Sequence, residues 1–161
     1  MPISTTTLAT HQVFDFETRP ATTQDIGFVY ELMRRHMEER FQQIPEGWSR
    51  KKFKQGYDPD RITIIQHEDM PIGFFDAEHI QDKLYVHNLH ISDDYKGKGI
   101  GRAIIQKIEK KAIENNIPKI KAKIFVENER FLRFLLHKMQ YKVVQELPDE
   151  NSYLIEKGLK E

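Results

Sequence analysis

The chain has 161 residues, enough for one ordinary domain with a buried core. Apolar residues make up 39% and charged residues 31%, with 25 Lys plus Arg set against 25 Asp plus Glu. That balance argues against a general nucleic-acid binder, and the absence of cysteine excludes disulfides, thiolate metal ligands and a cysteine nucleophile.

No apolar run approaches the ~20 residues of a membrane span. Met1 to Gln12 is rich in Ser and Thr and lacks a charged or apolar leader pattern. Residues 1–12 therefore read as a flexible tail, residues 13–161 as a single domain, and the protein as cytoplasmic. Phe14, Phe16 and Thr18 alternate with polar residues, the period of a half-buried strand, which Pro20 closes. Thr22 and Thr23 supply a helix cap, with Asp25 in the first turn, where the helix dipole favours acid. Ile26, Val29, Tyr30, Met33 and Met37 then fall at helical spacing, carrying a helix to about Arg40. Phe41 to Asp60 is irregular, with Pro45, Gly47, Gly56 and Pro59 around a short helix from Ser49 to Gln55. Three strands follow, Arg61 to His67, Ile72 to His79 and Leu84 to Ile91, joined by the turns at Glu68–Pro71 and Gln81–Asp82.

A helix over Gly99 to Asn115 puts Ile100, Ile104, Ile108 and Ala112 on one stripe, and Pro118 stops it. Lys119 to Val126 is a strand with Ile120, Ala122, Ile124 and Val126 on one face. Glu129 to Met139 is a helix, and Tyr141 to Glu146 and Ser152 to Glu156 are the last strands. The order β-α-α-β-β-β-α-β-α-β-β predicts an α+β domain, with helices flanking a mixed, mostly antiparallel sheet.

The chemistry concentrates between the third strand of this run and the third helix. Gly97, Gly99 and Gly101 alternate there, flanked by Lys96, Lys98 and Arg102. Glycines let main-chain amides approach a ligand, and amides opening a helix favour a phosphate. The plainer alternative is a flexible turn on a solvated basic patch. A dinucleotide fingerprint fails because position 102 is arginine, and no Walker loop exists in the sequence.

Ile91-Ser92-Asp93-Asp94-Tyr95-Lys96-Gly97-Lys98-Gly99-Ile100-Gly101 resembles the acetyl-coenzyme A signature of the GNAT superfamily, [QR]-x-x-G-x-[GA] after a strand. Gly99 and Gly101 match it, and Lys96 stands where glutamine or arginine is usual. The element order resembles the whole family fold, so the likeness covers nearly all of the chain after the tail. It implies a GNAT-like N-acetyltransferase that uses acetyl-coenzyme A as co-substrate, with no metal, and transfers the acetyl group directly to a primary amine. Lys96, Gly97, Lys98, Gly99, Ile100, Gly101 and Arg102 would hold the diphosphate. The strands ending at Ile91 and Val126 would part to admit the pantetheine arm, pairing it with main chain at Leu89, His90 and Ile91. Asn128 would face the cofactor, cap the following helix, or do both.

The resemblance places a base on the strand before the glycines, and His87 occupies that position. Packing or solvent exposure is the competing reading of His87, and Glu78 is a second candidate base. Family members often carry a tyrosine acid on the last helix, but here that stretch is Phe134-Leu135-Leu136, and Tyr141 better suits the start of a strand. The acceptor, a small-molecule amine or a peptide or protein amine, would meet the first two helices and the final hairpin. Glu31, Glu38 and Glu39, or Trp48, Phe53 and Tyr57, would face it there unless they serve solvent and core. By analogy a homodimer would form through the last strands, and neither nucleic acid nor membrane is an expected partner. A non-catalytic acyl-coenzyme A sensor is the alternative to an enzyme.

Overall fold

The computed structural model describes residues 14–42 and 46–159. The expected tail, residues 1–12, lies outside them. In chain order the elements are β1 (Glu17–Pro20), α1 (Ile26–Phe41), α2 (Arg50–Gly56), β2 (Ile62–His67), β3 (Met70–Ile80), β4 (Lys83–Ile91), α3 (Ile100–Glu114), β5 (Lys119–Phe125), α4 (Glu129–His137), β6 (Lys142–Leu147) and β7 (Ser152–Gly158). This is the order read from the sequence. Phe14 and Phe16 precede β1 rather than open it, yet both pack against the core. The strands form one sheet in the order β1-β2-β3-β4-β5-β7-β6, antiparallel except where β4 meets β5.

Each face of the sheet carries its own apolar layer. On one, the α3 stripe Ile100, Ile104, Ile108 and Ala112 is buried with Ile105 against Val86, Ile120, Ala122, Ile124 and Ile155. On the other, Val29 and Leu32 of α1 cover Ile62, Ile64 and Phe74. Val126, expected on the inner face of β5, lies just past the strand end and is exposed.

The approach to α1 is tightly fixed. Thr22 and Asp25 form a reciprocal capping box, and Arg19 donates two 2.9 Å hydrogen bonds to the Asp25 carboxylate. The Arg19 guanidinium holds that carboxyl below its ordinary range.

Two irregularities of β4 position the candidate site. Against β3, Asn88 pairs with Asp76 but Val86 pairs with Ala77, so His87 is the extra residue of a β-bulge. The bulge reverses the alternation of faces. Val86 and, three residues on, Leu89 both pack on the α3 layer, while His90 stacks on Phe74 on the α1 side. Against β5, pairing runs only from Lys83–Lys119 to Val86–Ala122. Beyond it the two strands continue to Ile91 and Phe125 without pairing, which is the expected parting.

Candidate active site

The glycine turn stands at the end of β4. Gly97 and Gly99 have φ of 78° and 83°, the left-handed region that glycine enters without a Cβ penalty. The first helical hydrogen bond of α3 runs from the Ala103 amide to the Gly99 carbonyl. The amides before it point out of the helix with no intrahelical acceptor. Gly101 serves a different purpose, since a Cβ there would stand 3.3 Å from Phe131 Cε1, so its missing side chain lets α4 approach α3. Of the three cations in the turn, Lys96 Nζ lies 2.9 Å from Asp93, Lys98 lies over the ring of Phe14, and Arg102 over that of Phe134. Asn128 holds the cap position of α4 but makes no side-chain cap bond, so the capping reading is not met and its amide is exposed.

Where β4 and β5 part, a cavity of about 550 Å³ opens on the α1 side. Met33, Met37, Trp48 and Phe125 give it apolar walls, and Asp149 and Glu150 stand at the turn between β6 and β7. Arg40 and Lys123 also line it. Arg40 lies over the Phe125 ring at 3.5 Å and bonds Glu127, while Lys123 bonds Glu150 at 2.9 Å.

From β4 the cavity receives Asn88 and His90, not His87. His87 Nε2 lies 2.9 Å from Glu78 Oε1, its ring stacks on Tyr85, and neither partner lines the cavity. His90 is buried, and its Nδ1 is 2.7 Å from Nδ1 of His36, a buried residue of α1. His36 Nε2 in turn lies 3.5 Å from Asp93 Oδ1. Burial lowers the His36 imidazole from 6.5 to about 4 and takes His90 well below its ordinary value, so both rings are neutral near pH 7. The Lys96 ammonium holds Asp93 ionised.

The other sequence candidates divide. Trp48 lines the cavity, stacked on Tyr30. Phe53 and Tyr57 pack under α1, and the Tyr57 hydroxyl donates to the Thr22 carbonyl. Glu31 and Glu38 pair with Arg34 on the solvent face. Tyr141 is buried away from the cavity and donates to Glu109 at 2.6 Å.

His36, Asn88 and Asp93 went unread. His36 carried a signal, since it follows Val29 and Leu32 on the buried stripe of α1, where an apolar residue is due.

The family model described as Acetyltransferase (GNAT) family matches residues 28–140, well over half of the chain. The chain belongs to the GNAT acetyltransferase family. Among curated relatives it is 26% identical over 90 residues to Acetyltransferase SG1711 of Sodalis glossinidius, covering 56% of this chain and 63% of that protein. The match thus spans less than two thirds of the relative's length. Among solved structures, PaiA N-acetyltransferase from Thermoplasma acidophilum, in complex with coenzyme A, superposes with a TM-score of 0.71 at 20% identity, covering 90% of this chain and 99% of that one. Diaminobutyrate acetyltransferase EctA from Paenibacillus lautus, bound to 2,4-diaminobutyric acid and coenzyme A, gives 0.66 at 18% identity, covering 89% and 95%. At these identities the two structures establish the shared fold. Among the described residues, no helix of this GNAT protein is long and apolar enough to cross a membrane.

Proposed function

We propose that this GNAT protein transfers an acetyl group from acetyl-coenzyme A directly to a primary amine. The observation that carries the reading is the end of β4–β5 pairing at Val86–Ala122, beside a helix start whose amides have no intrahelical acceptor. A diphosphate suits the amides of Gly97 to Arg102, and the positive end of α3 favours it, whereas the Lys96 amide already donates to the Asp93 carbonyl. A pantetheine arm suits the strand gap, where main chain at Leu89, His90 and Ile91 lacks a β5 partner. Asn128, free of a capping bond, is available to the same ligand. The fit is one of main-chain donors and open space, since a Cβ at Gly97 would meet nothing within 4 Å. Acetyl-coenzyme A supplies a thioester whose thiolate leaves without a protein acid, consistent with a Tyr141 that is engaged elsewhere.

The cavity is proposed as the acceptor site. Its carboxylates Asp149 and Glu150 and its Trp48 wall suit a cationic amine. Structural neighbours bound to 2,4-diaminobutyric acid or, in the NatC complex, to a Gag peptide support an amine acceptor of either size. The cavity lining changes one part of the sequence reading, because His87 and Glu78 are absent from it and His90 is present.

Calorimetry with coenzyme A, followed by thiol detection over a panel of diamines, amino acids and peptides, tests the proposal. The expected result is coenzyme A binding and amine-dependent thiol release. No binding at millimolar ligand overturns it, and binding without turnover on any amine returns the protein to a sensor.

A further inference from the structure

Three side chains in successive contact lead from the cavity to the glycine turn: His90, His36 and Asp93. The 2.7 Å contact between the two Nδ1 atoms is a hydrogen bond and needs one proton, so one ring donates and the other accepts. Asp93 decides which. Its carboxylate, 2.9 Å from Lys96 Nζ and 3.5 Å from His36 Nε2, favours a proton on His36 Nε2 and would repel a lone pair there. With that nitrogen protonated, neutral His36 accepts at Nδ1. His90 must then donate from Nδ1, and its Nε2 carries the free lone pair. His90 lines the cavity, and its Nε2 makes no hydrogen bond to any described residue.

We infer that Asp93 and His36 act as positioning residues that fix the tautomer of His90 and make its Nε2 the base for the acceptor amine. The inference rests on the transferase reading of the site. An ammonium acceptor first loses one proton to solvent; in the transfer, the neutral amine nitrogen bonds the acetyl carbon, the C–S bond breaks, and the thiolate leaves with the electron pair. The nitrogen's surplus proton passes to His90 Nε2. His90 can then pass its Nδ1 proton to His36 Nδ1, which moves the positive charge to the ring beside the Asp93 carboxylate.

The surroundings suit this path. Desolvation makes a lasting imidazolium costly at either histidine. Lys96, Arg40 and Lys123 add positive charge around them, and Asp93 and Glu39 supply the negative charge at the outer end. His36, Glu39 and Asp93 place ligand atoms within 4.8 Å of one another, as a divalent cation would require. Lys96 already supplies the cation at Asp93, and a metal on His36 Nε2 would impose the opposite tautomer.

The test is long-range nitrogen–proton NMR of the imidazoles in the full chain at pH 7, with kinetics alongside. His36 is expected protonated at Nε2 only and His90 at Nδ1 only, and Asp93→Asn is expected to mix the tautomers of both rings. His90→Gln should lower kcat, read at saturating coenzyme A, by about 10²-fold or more. A wild-type His90 protonated at Nε2, or zinc binding that deprotonates His36 Nε2, overturns the tautomer chain whether or not any acceptor is found. An active wild type whose His90→Gln variant keeps kcat within about threefold overturns the base role alone. No thiol release from the wild type on any amine overturns the transferase reading, and the base role with it.

Discussion

Gly73 of β3 lies against the main chain of His90, so closely that a Cβ at position 73 would stand 2.5 Å from the His90 carbonyl oxygen. Ile91 closes the other side, with its Cα 3.3 Å from the same point. Ile91 Cδ1, at 3.0 Å, can swing aside, but the His90 carbonyl and the Ile91 Cα belong to the main chain. Gly73→Ala should therefore displace β4 where it leaves β5, costing about 1–3 kcal/mol by overpacking. Thermal unfolding checks the cost. The same variant should lose coenzyme A affinity, since the shift falls at the strand gap.

The two glycines of the signature should respond differently. Gly99 sits in the left-handed region, where an L-residue costs roughly 1–2 kcal/mol. Gly99→Ala should weaken coenzyme A binding by about tenfold in calorimetry, because the turn would relax away from its amide-presenting shape. Gly101 has no such conformation, and its constraint is the Phe131 ring. Gly101→Ala should be mild in both stability and binding, whereas Gly101→Val should drive α4 from α3 and lower the melting temperature.

Stability should fall between pH 6.5 and about 4 through His36. Its folded value is depressed from 6.5 to about 4, so the unfolded chain takes up a proton that the folded ring refuses. The folded state thus keeps this contribution above pH 6.5 and loses it as the pH drops, by about 3 kcal/mol in all. His36→Gln should show a shallower decline over that interval in denaturant titrations at fixed pH values.

Asp25→Ala should cost about 2 kcal/mol, since it removes both the capping box and the two acceptors of Arg19. Arg19 pairing lowers the Asp25 carboxyl, so the wild type holds this stability at neutral pH and loses it in acid. The difference in unfolding free energy between wild type and variant should shrink as the pH falls into the carboxylate range.

Most of the fold was legible because its faces obey their periods. The α3 stripe Ile100, Ile104, Ile108, Ala112 and the β5 alternation Ile120, Ala122, Ile124 are all buried as spaced. The shape of the glycine turn was legible too, since glycine enters left-handed backbone freely and Gly97 and Gly99 adopt it. The face taken by the His90 ring was not. Strict alternation puts Val86, Asn88 and His90 on one face, whereas the bulge at His87 moves Asn88 and His90 to the side opposite Val86. One extra residue in a strand leaves no mark in composition. His36 also lies 54 residues from His90 in sequence, and only the packing of α1 over the end of β4 joins it to His90 and Asp93.

The brevity of the β4–β5 ladder has a mechanical consequence. The sheet is two halves, β1 to β4 and β5 to β7, stitched along four paired positions from Lys83–Lys119 to Val86–Ala122. Anything wedged into the fork levers against that seam, while the isoleucines of α3 clamp both halves from one side. Amide exchange at Leu84 to Val86 and Ile120 to Ala122 is therefore the natural gauge of how firmly a guest is gripped.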